Sequence, residues 1–176
     1  MKKIASRVIL SKVSLRDEKD FLTAVKSSEE WLKDWVDVPK TPRAFKSYAR
    51  EMRTSTDVAF LVRRTESCAL AGVIELQDIY MGNFCNAYVL YYAFAGHTGQ
   101  GLMAEALREV ILLTFGKLKL HRLEANIQPA NHASRRLAKA CGFQMEGLSP
   151  KFLKKGGEWR DHERWALLST DILPGH

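Results

Sequence analysis

The sequence has little cysteine, little proline and no long apolar run. Its three cysteines, Cys68, Cys85 and Cys141, are an odd and widely spaced set without a C-x-x-C pair. They indicate neither a disulfide framework nor a zinc site, and no metal is expected; a reducing compartment fits. No stretch approaches the roughly 20 apolar residues that a membrane helix requires. The start MKKIASRVIL is basic, but Ser6 and Arg7 interrupt its apolar part, so no export or anchoring signal is read and a cytoplasmic location is expected, with no membrane partner. Repeats, low-complexity tracts and Gly/Ser linkers are also missing, so residues 1–176 read as one domain.

What is present is a globular composition, 46% hydrophobic and 27% charged. Lys and Arg number 27 against 20 Asp and Glu, a net charge of +7 that favours anionic ligands such as nucleotides, phosphates or RNA. The charge is uneven. Residues 17–37 carry seven acids against three lysines, whereas 117–139 carry Lys117, Lys119, Arg122, Arg135, Arg136 and Lys139 against Glu124 alone.

Hydrophobic periodicity predicts the order βααβββαβαββ. A strand is expected at Arg7–Ser11, helices at Arg16–Ser27 and Thr41–Thr54, and a meander of strands at Val58–Arg64, Leu70–Gln77 and Asn86–Phe94. A strongly periodic helix follows Gly101 and runs to Gly116. Then come a strand at Arg122–Ile127, a short helix at Asn131–Cys141, and a final strand pair, Phe143–Phe152 with Trp159–Ser169. Trp31 and Trp35, four residues apart, can share a helical face and read as a core plug.

The most informative stretch is the strand that runs into Gly96, Gly99 and Gly101, after which a helix starts at once. Glycines let the backbone approach a ligand, and the free N–H groups of a helix start favour phosphate oxygens, so the loop suits a pyrophosphate. Gly99-Gln-Gly101-Leu-Met-Ala104 also satisfies G-x-G-x-x-A, with Glu124 about 20 residues on. Against a dinucleotide unit, only two strand–helix steps follow before an antiparallel ending, and Glu124 lies inside its strand. A Walker loop is excluded because no Gly-Lys-Ser/Thr is present.

At this loop the chain resembles the GCN5-related N-acetyltransferases, and within them the ribosomal-protein-alanine N-acetyltransferases. The resemblance rests on Gly96-His-Thr-Gly99-Gln-Gly101, the following Leu-Met-Ala-Glu-Ala-Leu107, His121-Arg-Leu-Glu-Ala-Asn126, Asn131-x-x-Ser134, Cys141-Gly-Phe143 with Glu146-Gly147, and Gly157-Glu-Trp-Arg-Asp-His162. It implies a single α/β (α+β) acetyltransferase domain with a mixed central sheet of six to seven strands flanked by about four helices. One departure is Gly96, which stands where a Gln or Arg is expected and removes a side chain that could steady the loop.

The resemblance also implies direct acetyl transfer from acetyl-CoA to the α-amino group of a protein N terminus, with a ribosomal protein as acceptor. The amides of Gly99, Gln100, Gly101, Leu102 and Met103 would hold the diphosphate, and backbone groups near Tyr92, Ala93 and Phe94 would polarise the thioester. Asn131 would orient the pantetheine arm and Ser134 would donate to the departing thiolate; on sequence alone these two also read as a helix cap and a first-turn serine. Glu75 is the first carboxylate candidate for a base, Glu124 the next, and His121 and His132 follow. Asp161 and His162 are expected to tie the last hairpin. The acidic stretch with Trp31 and Trp35 is expected to face a cationic peptide terminus, and the basic stretch the cofactor's 3′-phosphate or ribosomal RNA. Competing readings are a small-amine acceptor, such as a polyamine or an amine drug, and a non-catalytic RNA-binding module on the same fold. The oligomeric state is not legible.

Overall fold

A computed structural model describes residues 6–54 and 56–172; the first five residues of the basic start lie outside them. Strand β1 (Val8–Lys12) leads through a 3-10 turn at Leu15–Asp17 into helices α1 (Glu18–Ser27), α2 (Glu29–Leu32) and α3 (Pro42–Glu51). The meander β2 (Val58–Arg64), β3 (Leu70–Tyr80) and β4 (Asn86–Ala93) is followed by α4 (Leu102–Gly116), β5 (Arg122–Ile127) and α5 (His132–Ala140). The final pair is β6 (Gln144–Lys155) and β7 (Glu158–Leu168), with a last turn of helix, α6 (Ser169–Ile172).

The seven strands form one mixed sheet in the order β1-β2-β3-β4-β5-β7-β6. The four longer helices match expectation. The two that periodicity missed, α2 and α6, are only four residues long, too short to show a period. The helix expected from Arg16 begins at Glu18 after the 3-10 turn, and β3 runs three residues past its expected end at Gln77.

Two apolar layers sandwich the sheet. On one face α4 buries Met103, Ala106, Leu107, Val110 and Ile111 against β1–β5, with Ala138 of α5 beside them. On the other, Phe21 and Val25 of α1, Leu32 of α2 and Phe45 of α3 cover Ala59, Leu61, Val73, Tyr92 and Phe94. Alternation of side chains along each strand assigns every residue of β4 and β5 to one of these layers. Gly72 marks where α4 meets β3: a Cβ there would lie 2.4 Å from Met103 Sδ and 2.6 Å from Tyr92 O, so no larger residue fits.

The break that makes the site lies between β4 and β5. They are parallel, and they pair only at Asn86↔Arg122, Ala87↔Leu123 and Tyr88↔Glu124. Beyond Tyr88 the two strands diverge, while β4 stays paired with β3 as far as Gly72↔Ala93. The sheet therefore opens into a wedge in its middle.

Candidate active site

The wedge opens into a cavity of about 1080 Å³ that runs through the sheet. On the α4/α5 face it is lined by the glycine loop, Met103, Asn131, Ser134 and Leu137; on the other face by Trp31, Trp35, Tyr88, Asn126, Phe152 and His162.

The glycine loop forms one end. Gly96, Gly99 and Gly101 have φ of +82°, +72° and +76°, a region that residues with a Cβ rarely adopt. Gly101 is the N-cap of α4 and supplies no side-chain cap. Among the described residues, the N–H groups from Gly99 to Met103 have no acceptor. A row of unsatisfied donors at the positive end of a fifteen-residue helix has the chemistry that suits an anion.

The side chain missing at Gly96 is replaced from elsewhere in the chain. Gln100 Nε2 donates to Gly96 O at 2.7 Å, while Gln100 Oε1 accepts from Arg64 Nη1 at 2.8 Å. Arg7 Nη1 donates to Gln100 O at 3.2 Å, and Arg7 Nε is paired with Glu105 at 2.9 Å. Arg7, just before β1, and Arg64, at the end of β2, thus brace the loop from outside. His97, which sequence reading passed over, sits in the same loop with Nδ1 buried and without a partner among the described residues. Burial and the neighbouring Arg64 guanidinium hold it below the ordinary histidine range, so it is neutral near pH 7.

At the wedge, Phe94 N–H donates to Ala71 O on β3 at 2.9 Å. Antiparallel alternation then turns the amides of Tyr92 toward β3 and those of Tyr91 and Ala93 toward the gap. Of the three residues expected to polarise a carbonyl there, Ala93 alone aims its N–H into the cavity, joined by Tyr91. The Tyr91 hydroxyl donates to Ser134 O at 2.9 Å, tying the first turn of α5 to β4. Asn131 is the cap of that helix, its Oδ1 accepting from Ser134 N at 3.1 Å, and the Ser134 hydroxyl has no partner among the described residues.

The chain and its fold have known relatives. Residues 7–144 match the family model described as an acetyltransferase (GNAT) domain. The chain belongs to the GNAT acetyltransferase family. A probable N-acetyltransferase, YjcK, of Bacillus subtilis is 32% identical over 138 residues, 78% of this chain and 76% of that one. The [ribosomal protein uS5]-alanine N-acetyltransferase of Escherichia coli is 35% identical over 106 residues, 60% of this chain and 55% of that one. Among solved structures, Mycobacterium smegmatis RimJ in complex with CoA-disulfide superimposes with a TM-score of 0.88 at 23% identity, covering 96% of this chain and 84% of that one. A spermidine N-acetyltransferase from Vibrio cholerae shares the same fold, with a TM-score of 0.79 at 18% identity over 97% of this chain and 98% of that one.

The GNAT domain is therefore an acetyl-CoA-dependent N-acetyltransferase, and its residues fit the cosubstrate: unpaired amides for a diphosphate, and a wedge with inward amides for a carbonyl. Other expected participants are placed differently. Glu75 is buried and does not line the cavity; it accepts from Tyr48 Oη at 2.6 Å and from Nε2 of Gln77, itself a lining residue, at 2.6 Å. Glu124 is paired with Arg122 at 2.8 Å, and His121 lies at the far end of β5 near Ser169. His132 lines the cavity beside Arg135. Asp161 does tie the hairpin, accepting from Lys151 N at 2.8 Å.

Burial pushes the Glu75 carboxyl above its ordinary value of 4.5, against the pull of its Tyr48 and Gln77 donors. The folded protein then holds a proton that the unfolded chain has released, so stability falls as pH rises from 4.5 through the raised value. Thermal melts of the Glu75→Gln variant should show a flatter pH dependence above pH 4.5 than the parent, with acetyl-CoA affinity unchanged.

The tryptophans and the charge runs also depart from expectation. Helix α2 ends at Leu32, so Trp31 and Trp35 share no continuous helix; Trp31 is 46% exposed, and both line the cavity rather than plug the core. In the acidic stretch Asp17 and Asp20 pair with Arg63, Glu18 with Lys46, Glu29 with Lys40, Glu30 with Lys33 and Asp37 with Lys155. In the basic stretch Arg122 is held by Glu124 and Glu146, and Arg135 by Glu163. Of those six basic residues, Arg136 alone lines the cavity. The acidic run is therefore largely paired, whereas in the basic run Lys117, Lys119, Arg136 and Lys139 stay exposed and without an ion pair among the described residues.

Proposed function

We propose that this acetyltransferase modifies the α-amino group of a protein N terminus whose first residues are uncharged, a ribosomal protein being the class that the similarity to the uS5-alanine enzyme favours. The observation that carries the reading is the lining of the acceptor side. Trp31, Trp35, Val36, Tyr88, Leu90 and Phe152 make it apolar and aromatic, and Asp78 is the one carboxylate among all the residues that line the cavity. A polyamine carries several cations along its length, which a single carboxylate cannot pair, and an aromatic face returns only about 0.5–2 kcal/mol per cation against the cost of taking it out of water. A peptide terminus brings one amine and an apolar start, which is what this wall suits.

When bound, acetyl-CoA supplies the acetyl group as a thioester and leaves as a thiol. The chain's own groups do the rest. The amides of Gly99 to Met103 hold the diphosphate, those of Tyr91 and Ala93 stabilise negative charge on the thioester oxygen, and the Ser134 hydroxyl donates to the sulfur. Asn131 and Tyr91 fix the turn of α5 that carries Ser134.

Thiol release from acetyl-CoA is the test, with N-terminal peptides, lysine peptides with blocked termini, and polyamines as acceptors. Release confined to free N termini supports the reading; release confined to polyamines overturns it. The tryptophan wall gives a second expectation. Trp35→Ala should raise KM for the peptide about tenfold, roughly 1.4 kcal/mol of lost aromatic contact, and leave coenzyme A affinity as it was.

A further inference from the structure

His162 is placed to do more than tie a hairpin. It is 6% exposed, and its ring forms part of the cavity wall. Its Nδ1 lies 3.0 Å from the backbone carbonyl of Arg160. A carbonyl oxygen can only accept, so Nδ1 carries the hydrogen, and the neutral ring must present an unprotonated Nε2. Phe152 packs against the ring with centroids 6.3 Å apart, fixing its plane. Strand alternation sets the side. Glu163 next to it reaches Arg135 of α5, on the α4/α5 face, so His162 projects to the opposite face, that of Trp31, Trp35 and the acceptor.

From this geometry we infer that His162 is the proton acceptor for the incoming amine. The inference rests on the acceptor reading above. An α-amine with a pKa near 8 is about nine-tenths ammonium at pH 7, and it enters a wall with a single carboxylate. His162 Nε2 takes one proton from this ammonium. The freed lone pair forms the nitrogen–carbon bond while the carbon–sulfur bond breaks, its electron pair leaving on sulfur. The second proton lost by nitrogen passes through solvent to the thiolate, which Ser134 meanwhile steadies. One ammonium and one thioester thus become one amide, one thiol and one imidazolium, which returns its proton to solvent.

The charged and titratable groups around the ring are Arg164, Arg160 and its partner Glu158 on β7, Lys155 of β6 with its partner Asp37 from the segment after α2, Glu124 on β5 held by Arg122, Asp78 of β3, and, elsewhere on the cavity wall, His97, His132 and Arg136. Directly opposite on β6 stands the uncharged Ser149. Arginine, lysine, aspartate and glutamate do not ordinarily titrate between pH 7 and 9, so the contrast between those two pH values reads the protonation of the amine.

The test is His162→Gln in the full chain, with acetyl-CoA and an N-terminal peptide that the parent acetylates. At pH 7 the variant's kcat/KM for the peptide should fall at least about tenfold. At pH 9, where about nine-tenths of the amine is already free, the deficit should close to within about threefold. Affinity for coenzyme A should not move. A deficit equal at both pH values, or no deficit, overturns the inference. The parent protein gives a measurement that does not depend on the variant's folding: ¹⁵N NMR should show His162 as the Nδ1–H tautomer, its Nε2 signal shifting when peptide is added. An Nε2–H tautomer would end the proposal. If the parent acetylates no peptide at all, the acceptor reading fails first, and separately.

Discussion

Gly101→Val should reduce coenzyme A affinity at least about 100-fold in a calorimetric titration. Gly101 sits at φ +76° as the cap of α4, where a β-branched residue is strained. Relief of that strain rotates the peptide units whose N–H groups point at the diphosphate. Hydrogen bonds to a charged group contribute about 1.5–3 kcal/mol each, so misaligning two of them accounts for a loss of two to four orders of magnitude. The molecule contains its own control. Gly82, in the turn between β3 and β4, has φ +75° and no heavy atom within 4 Å of an added Cβ. Gly82→Val carries the same backbone cost far from the loop and should bind coenzyme A like the parent. The nearest atom to a Cβ at Gly101 is Arg7 Nη2 at 3.4 Å, so the fold itself should survive. Undiminished affinity in the Gly101 variant would remove the loop from the cofactor site.

That loop was legible in the sequence because its constraint is local. Glycine at a positive φ and an apolar period starting one residue later are both visible along the chain, and Gly101 and α4 lie where those signals put them. The β2–β4 meander was legible for the same reason. What was not legible depends on contacts between distant residues. The Gln100 amide was assigned to the diphosphate, but its side chain has no role in the sequence until Arg64, thirty-six positions away, is found on it. Segment sums of charge treat acids as free, whereas Asp17 and Asp20 meet Arg63 across the fold, and Asp37 meets Lys155. Glu75 was placed on the correct strand, but its burial under donors from Tyr48 and Gln77 depends on α3 packing over β3. Trp31 and Trp35 have helical spacing without a helix to express it, because α2 stops between them. The pairing of β4 with β5 over just three residues leaves no mark on either strand's composition, although it opens the whole site.

Ser134→Ala should lower kcat about 10- to 100-fold while leaving coenzyme A affinity within about threefold. The size of the loss distinguishes two roles for the hydroxyl. A thiol has a pKa near 8.5, so the departing sulfur is tolerable as an anion at neutral pH and does not depend on a full proton from an acid. A serine could not supply one readily in any case. What it can do is donate a hydrogen bond that strengthens as negative charge gathers on sulfur, an interaction of about 1.5–3 kcal/mol. The hydroxyl lines the cavity and has no partner among the described residues, so it is free to turn to the sulfur. Its backbone is fixed twice, by Asn131 through Ser134 N and by Tyr91 through Ser134 O, and neither contact is lost in the variant. The alanine enzyme should therefore keep its structure and the shape of its pH profile, because a donor has been removed rather than a titrating acid. A full 10⁴-fold loss, or an altered acid limb, would mean that Ser134 transfers its proton; an unchanged kcat would mean that solvent alone meets the thiolate.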